Sequence, residues 1–331
     1  MAVSSGEWIG WQQDEDGVVL LTLDAPVAKA NRFNADFSDA LEQIVERIET
    51  AGDRLSGIVI ASTKSSFCLD SDPSVVLRAE RARAGALSAV LARDAALLRR
   101  LELCGRPVVA AIAGDAVGDG LALALAAHRR LAVAEPTLQL GLPQVRLGLL
   151  PGRGALTRVV RLLGISEALT EVLLEGKLLG VERSAKLGLI DELVDSRDAL
   201  LPAAKAWIAA GGDPRQPWDR EDYRMPGGAP SSARLAQFLP AYPANLRKQL
   251  RGANFPAPRQ IMAATVEGAQ LDLDGAVTVE TRYLVDLMCG QVAKNMVQAF
   301  HIDLAQAAGR RRAVGATPFR PQRVAVLGAG M

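Results

Sequence analysis

The residues of this chain that could do chemistry concentrate between Ser65 and Val194. Three segments stand out: SSFCLDSDP (65–73), RPVVAAIAGDAVGDGLALAL (106–125) and LQLGLPQVRLGLLPGRGALTRVVRLLG (138–164). In the second, an apolar run stops at Gly114, and Gly118-Asp119-Gly120 then opens an apolar helix. Glycines at such a junction let another backbone approach closely, and the start of a helix leaves N–H groups without partners. Aimed at a carbonyl, those groups and the helix dipole stabilise negative charge developing on its oxygen. The same glycines also serve simply to turn a strand into a helix, and a lone G-x-G does not separate the two readings.

The elements that must position this junction follow from the apolar spacing. Residues 18–24 and 57–62 are short β-branched runs bounded by turn residues and predict buried strands. Between them, Phe37, Leu41, Ile44, Val45 and Ile48 share one face of a helix over 36–50. Residues 108–113 predict a strand, 120–127 a helix packed on all sides, and 129–134 another strand. This alternation predicts an α/β architecture with covered sheets. The spacing is helical from 166 to 210, broken at 188–194, and helical again over 256–308. The Gly/Pro-rich stretch 211–230 reads as the internal linker.

Length and composition narrow the function classes. A chain of 331 residues suggests two domains, or one with an appendage. With 49% hydrophobic and 23% charged residues it has ample material for a core. A net charge of +1 provides no global field for nucleic acid or an anionic membrane. Cys68, Cys104 and Cys289 are widely spaced, which excludes a disulfide scaffold or a cysteine-based zinc site. His128 and His301 are too few and too far apart for a histidine-rich metal centre, so no metal is expected. No signal peptide and no apolar run of about 18 residues is present, which predicts a cytoplasmic protein without a membrane span.

The order of the three segments resembles the crotonase (enoyl-CoA hydratase/isomerase) superfamily. The resemblance continues through LLEGKLLGVERSAKLGLIDELVD (173–195) and covers roughly residues 15–200. Further on, ANFPAPRQIMAATVEGA (253–269) and the final RVAVLGAGM are similar to the multifunctional fatty-acid β-oxidation enzymes. In those, a 3-hydroxyacyl-CoA dehydrogenase follows the hydratase. The resemblance implies a crotonase-like fold of repeated strand–strand–helix units in two sheets, followed by a helical C-terminal section. It also implies an acyl-CoA site in which two backbone N–H groups grip the thioester oxygen. The matching donors here are Leu69, in FCLDSD, and Asp119, in GDG. Val27–Asn31 matches the loop that contacts CoA, with Val27, Ala28 and Lys29 as the candidate contacts, and Gly118 and Arg153 border the substrate site.

The match breaks down at the chemistry. The family's hydratases use two glutamates, and the corresponding positions hold Ala122 and Gln144. Alanine has no proton to exchange, and glutamine cannot take a proton from water at neutral pH. Each general acid or base contributes about 10²–10⁴ in rate, so hydration is expected to be lost or very weak. Asp70 and Asp119 stand where the family has glycines and are the candidate substitute acids. Asp72 matches an acid common in the family, with a loop hydrogen bond as its simplest role. Arg153 fits either an acidic acyl chain or a salt bridge within its loop. His128 lies six residues past Ala122, about 240° around a helix, and is off the same face.

These readings divide the chain into a crotonase-like core (1–195), a helical section (196–309) containing the loop 211–230, and a tail (310–331). The tail reads as a linker through Arg310–Arg312 and the first strand of a truncated dinucleotide-binding domain. The expected ligand is an acyl-CoA thioester. NAD is expected only in the missing dehydrogenase domain, with that domain and an oligomer or thiolase complex as expected partners. The competing readings are a different acyl-CoA reaction through the same oxyanion hole, and a non-catalytic structural domain.

Overall fold

The apolar runs pair into two sheets. The computed structural model describes residues 7–309, together with Gln322, Arg323 and Ala325. Apart from those three residues, the tail 310–331, including Arg310–Arg312 and RVAVLGAGM, lies outside the described residues. The strands are β1 (Ile9–Gln13), β2 (Val18–Leu23), β3 (Gly57–Ser62), β4 (Val108–Ile112) and β5 (Ala116–Val117). They continue as β6 (Arg129–Val133), β7 (Gln139–Gly141), β8 (Leu179–Gly180) and β9 (Glu192–Val194). The larger sheet has the order β1-β2-β3-β4-β6-β9, and the smaller one β5-β7-β8.

In the larger sheet β1 and β2 are antiparallel, and every later pairing is parallel. Parallel strands need both faces covered, which is why β2, β3 and β4 read as near-continuous apolar runs. One face, with Val19, Leu21, Ile58, Ile60 and Val108, joins the main core. The other, with Val18, Val59, Val109 and Leu131, is covered by Leu200, Ala204 and Ile208 of the helix Arg197–Ala209. At Gly57 an added Cβ would stand 2.7 Å from Ile208, so that helix seats on bare backbone.

Helix α1 (Ala35–Ala51) buries the five residues whose spacing predicts it, and Asn34 caps it by accepting from the Phe37 N–H at 2.9 Å. Helix α2 (Ala84–Glu102) carries no comparable signal. Its apolar side is a few leucines among alanines and arginines, and it buries Asp94 and Glu102 as well. Helix α3 (Asp119–Leu125) is buried at every position, as its sequence suggests. Helix α4 (Ala155–Leu163) buries two arginines, Arg158 and Arg161.

The C-terminal helices Pro256–Gly268, Leu273–Met288 and Gln291–Val297 pack onto this core, and Ile261, Leu284, Met288 and Val297 belong to the same apolar cluster as the sheet. The Gly/Pro-rich stretch 211–230 is docked onto the core by polar contacts. Gln216 is buried and donates to Leu125 O (3.2 Å) and Ala127 O (3.1 Å). The Tyr223 hydroxyl donates to Arg161 O at 2.6 Å. Arg99 forms two hydrogen bonds to Asp219, at 2.8 and 2.6 Å. Such contacts leave no apolar periodicity, so the sequence shows only a loop.

The helices of the core are tied by a fully buried ion pair. Arg158 on α4 reaches Glu102 on α2 through Nε (2.7 Å) and Nη2 (2.9 Å), and its Nη1 donates to Arg153 O (2.9 Å). Removing one partner of a buried pair costs about 3–5 kcal/mol where nothing else compensates the charge left behind, and here Glu102 would keep only Arg99, whose Nη1 lies 3.2 Å from Oε2. Arg158→Met is therefore expected to lower unfolding stability by that order in urea titration. A loss below about 1 kcal/mol would show that Glu102 is adequately held by Arg99 alone.

Candidate active site

The segment Ser65–Asp72 leaves β3 and runs between two other stretches of chain. Leu69 forms a parallel bridge with Arg32, and Cys68 one with Ala116. Asn31, almost fully buried, staples this arrangement. Its Oδ1 accepts from Ala25 N (2.8 Å), and its Nδ2 donates to Leu23 O (3.2 Å), Ser62 Oγ (2.9 Å) and Phe67 O (3.2 Å). The approach of α3 to this segment needs glycine. A Cβ on Gly120 would lie 1.8 Å from Cys68 O, and one on Gly118 would lie 2.2 Å from the Asp70 carboxyl carbon. Gly118 also has a φ of +60°, which side chains rarely adopt.

The two expected amide donors are both engaged within the chain, which revises the expectation of a free pair. The Leu69 N–H donates to Asn31 O (2.9 Å), as the bridge with Arg32 requires. The Asp119 N–H donates to Asp70 Oδ1 (3.1 Å). That same carboxyl oxygen accepts from Gln144 Nε2 at 3.3 Å. Gln144 is 7% exposed, and its Oε1 is buried without a hydrogen-bond partner. Ala122 is completely buried, and its methyl faces the apolar core.

Arg153 supplies the positive charge of the cluster. It is held at a φ of +56° in the loop before α4, with its guanidinium turned inward. It meets Asp119 Oδ2 at 2.6 Å and Asp94 Oδ2 at 3.0 Å, and lies 4.5 Å from the centre of the Phe33 ring. Ser71 adds two hydrogen bonds to Asp119 Oδ2, from its N–H (3.1 Å) and its hydroxyl (2.6 Å). The loop is fastened from behind by Glu280, on the helix Leu273–Met288. Glu280 Oε1 accepts from Gly154 N (2.6 Å), and its Oε2 from the N–H (2.9 Å) and hydroxyl (2.8 Å) of Thr157.

These surroundings split the two adjacent carboxyl groups. Burial, and then the neighbouring Asp119 charge, hold Asp70 well above the ordinary carboxylate range. Burial opposes ionisation of Asp119 too, but Arg153 and the Ser71 hydrogen bonds outweigh it and hold Asp119 below that range. Asp70 is thus much the harder of the two to ionise. Burial pushes the Cys68 thiol up, so it is no nucleophile. His128 accepts from Val108 N at Nδ1 (2.9 Å) and donates from Nε2 to Glu102 O (3.0 Å), and burial lowers its basicity. It is a neutral structural residue. Asp72 caps the turn after the segment by accepting from Ser74 N at 2.9 Å.

Gly118, Asp119, Asp70, Gln144 and Arg153 therefore come together at one place, with Leu69 bordering it. Val27, Ala28 and Lys29 form an exposed loop, in which Val27 has a φ of +58°, a strained conformation for a β-branched residue. Asn31 was legible only as the end of the Val27–Asn31 loop, and Asp94, Glu102 and Glu280 were not legible as site residues. Each is an isolated polar residue in an apolar helix or loop, and only burial against a distant partner gives it a role. Among the described residues no cluster of three or more His, Cys, Asp or Glu could hold a metal, and no helix is long and apolar enough to cross a membrane.

Two mixed sheets wrapped by helices, with glycine-dependent close approach at the head of α3, define the class. The chain belongs to the enoyl-CoA hydratase/isomerase family, whose model matches residues 13–210. It is 30% identical over 96% of its length to the fatty acid oxidation complex subunit alpha of Shewanella sp. (strain MR-4), and spans 44% of that relative. The chain thus covers less than half the length of such relatives. Among solved structures it resembles an enoyl-CoA hydratase from Bacillus halodurans, with a TM-score of 0.61 and 22% identity over 88% of this chain and 99% of that one. It also resembles a carnitinyl-CoA dehydratase from Mycobacterium thermoresistibile, with a TM-score of 0.64 and 18% identity over 90% of each chain. Both likenesses establish the crotonase fold.

The Glu280 clasp has a pH signature. Burial raises this carboxyl to about 7, against an ordinary value of 4.5, despite the three hydrogen bonds it accepts. The folded protein then binds more protons than the unfolded chain between those values. Its contribution is present below about pH 4.5 and is lost as pH rises through about 7, at no more than about 1.4 kcal/mol per pH unit. Urea midpoints at pH 5 and 8 should show the wild type losing more stability than Glu280→Gln over this interval. Equal losses would place the pH dependence elsewhere.

Proposed function

We propose that this chain is an acyl-CoA-binding domain of its family in which hydration of enoyl-CoA is lost. The observation that supports this most directly is the commitment of every acid in the cluster. Ala122 and Gln144 stand at the two positions where the resemblance calls for glutamates, and neither exchanges a proton with water. Asp119 is paired with Arg153 and Ser71, Asp94 is paired with Arg153, and the Asp70 carboxyl sits on the Asp119 N–H. Hydration requires a carboxylate free to activate water and an acid placed to protonate carbon. The Leu69 N–H is also taken by Asn31, and loss of one oxyanion donor alone costs about 10²–10³ in rate.

The ligand class rests on the family and on the exposed loop at Val27–Lys29, the candidate contact for CoA. The relatives' name, fatty acid oxidation complex subunit alpha, favours a fatty-acyl thioester. In this reading the domain works beside an NAD-dependent 3-hydroxyacyl-CoA dehydrogenase, and no cofactor is required in residues 7–309. A second reading, a different reaction on an acyl-CoA, is favoured by one observation. A neutral carboxyl beside an ionised one is the arrangement of an acid–base pair.

Crotonyl-CoA distinguishes the readings. Its ultraviolet absorbance should not fall above the uncatalysed rate in the presence of the protein, and Asp70→Asn should change nothing. Hydration at an ordinary enzymatic rate would contradict the proposal. Turnover of any acyl-CoA that Asp70→Asn abolishes would establish the second reading.

A further inference from the structure

The Asp70 carboxyl occupies the Asp119 N–H from inside the chain. We propose that this carboxyl is an internal competitor for the acyl-CoA site, holding the place of the thioester oxygen until a ligand displaces it. The inference rests on the reading above, that this cluster is the acyl site, and adds that the site is closed by its own side chain.

Three observations carry it. First, Asp70 Oδ1 accepts from both Asp119 N (3.1 Å) and Gln144 Nε2 (3.3 Å), as a bound carbonyl oxygen would. Second, the fit is incomplete on the Gln144 side. The nearly buried Gln144 keeps its Oε1 without a partner, and an unpaired buried acceptor is costly until a donor N–H or O–H, as a ligand larger than the carboxyl can bring, meets it. Third, the backbone around Asp70 is pinned independently of its carboxyl, whose two hydrogen bonds both fall on Oδ1. Arg32 Nη1 donates to Asp70 O (2.8 Å), Leu69 N to Asn31 O (2.9 Å) and Ser71 N to Asp119 Oδ2 (3.1 Å). Rotation of one side chain therefore frees the Asp119 N–H without moving the chain. The charged groups that fix the outcome are Asp119 and Arg153, and these stay paired with each other when Asp70 leaves.

Hexanoyl-CoA, a saturated thioester that cannot be hydrated, is the probe, so binding is read independently of hydratase chemistry. Calorimetry should show Asp70→Gly binding at least about tenfold more tightly than the wild type, the worth of one hydrogen bond no longer contested. Asp70→Asn, whose amide oxygen still accepts from Asp119 N–H, should stay near the wild type. Equal affinity of folded Asp70→Gly and wild type, or no binding by either, overturns the proposal. Asp70→Ala provides the same comparison if the glycine variant does not fold. Failure of both variants to fold would make the carboxyl a folding requirement rather than a displaceable group, and also overturns it. In the wild type, saturation with hexanoyl-CoA should shift the Asp70 carboxyl carbon resonance, and binding that leaves it unmoved counts against displacement. Crotonyl-CoA hydration by the wild type would contradict only the loss of hydratase activity, so the two ideas fail separately.

Discussion

One nearly buried guanidinium stands among three acids and pairs with two of them, and the arrangement of the site follows from that imbalance. Arg153 pairs with Asp119 and Asp94 and leaves Asp70 without a cation. Desolvation and the Asp119 charge both disfavour a second negative charge here, and they hold the Asp70 carboxyl well above the ordinary range. A neutral carboxyl can then lie against Asp119 and take its N–H without charge repulsion. The unusual backbone at Arg153, with φ at +56°, is the local cost of turning its side chain inward.

That inward turn is held by parts of the chain far away in sequence. Arg158 donates to Arg153 O while paired with Glu102, and Glu280 holds the adjoining N–H groups of Gly154 and Thr157. The C-terminal helices are thus structurally coupled to the site through a carboxylate as well as through apolar packing. On the opposite side, Asn31 ties the exposed Val27–Lys29 loop to the segment bearing Leu69 and Asp70. The Val27–Lys29 loop, the segment Ser65–Asp72 and α4 form one continuous polar framework around a cluster whose charges are satisfied internally.

Much of the fold was legible because it is built from buried parallel strands. Residues 57–62 form β3 with the predicted bounds, and 18–24, 108–113 and 129–134 each end within a residue of the observed strand. The five apolar residues of α1 are the five that face the core. Short or polar elements were not legible. β1, β5, β7 and β8 have five residues or fewer, and α2 buries two acids that disrupt an apolar stripe. At the site, motif order located Asp70, Asp119, Gln144 and Arg153, but not what they do to one another. That depends on pairings such as Arg153–Asp94 and Asp119–Asp70, which sequence spacing does not encode.

The site is closed by its own side chains, with two adjacent carboxyl groups of opposite shift in acidity. Carbon NMR of the aspartate carboxyls across pH 3–8 tests this directly, with Asp70→Asn and Asp119→Asn for assignment. The account predicts one resonance titrating well above the ordinary range and one below it, as a coupled pair. Two independent titrations near pH 4 would mean that both groups are solvated, and would contradict it.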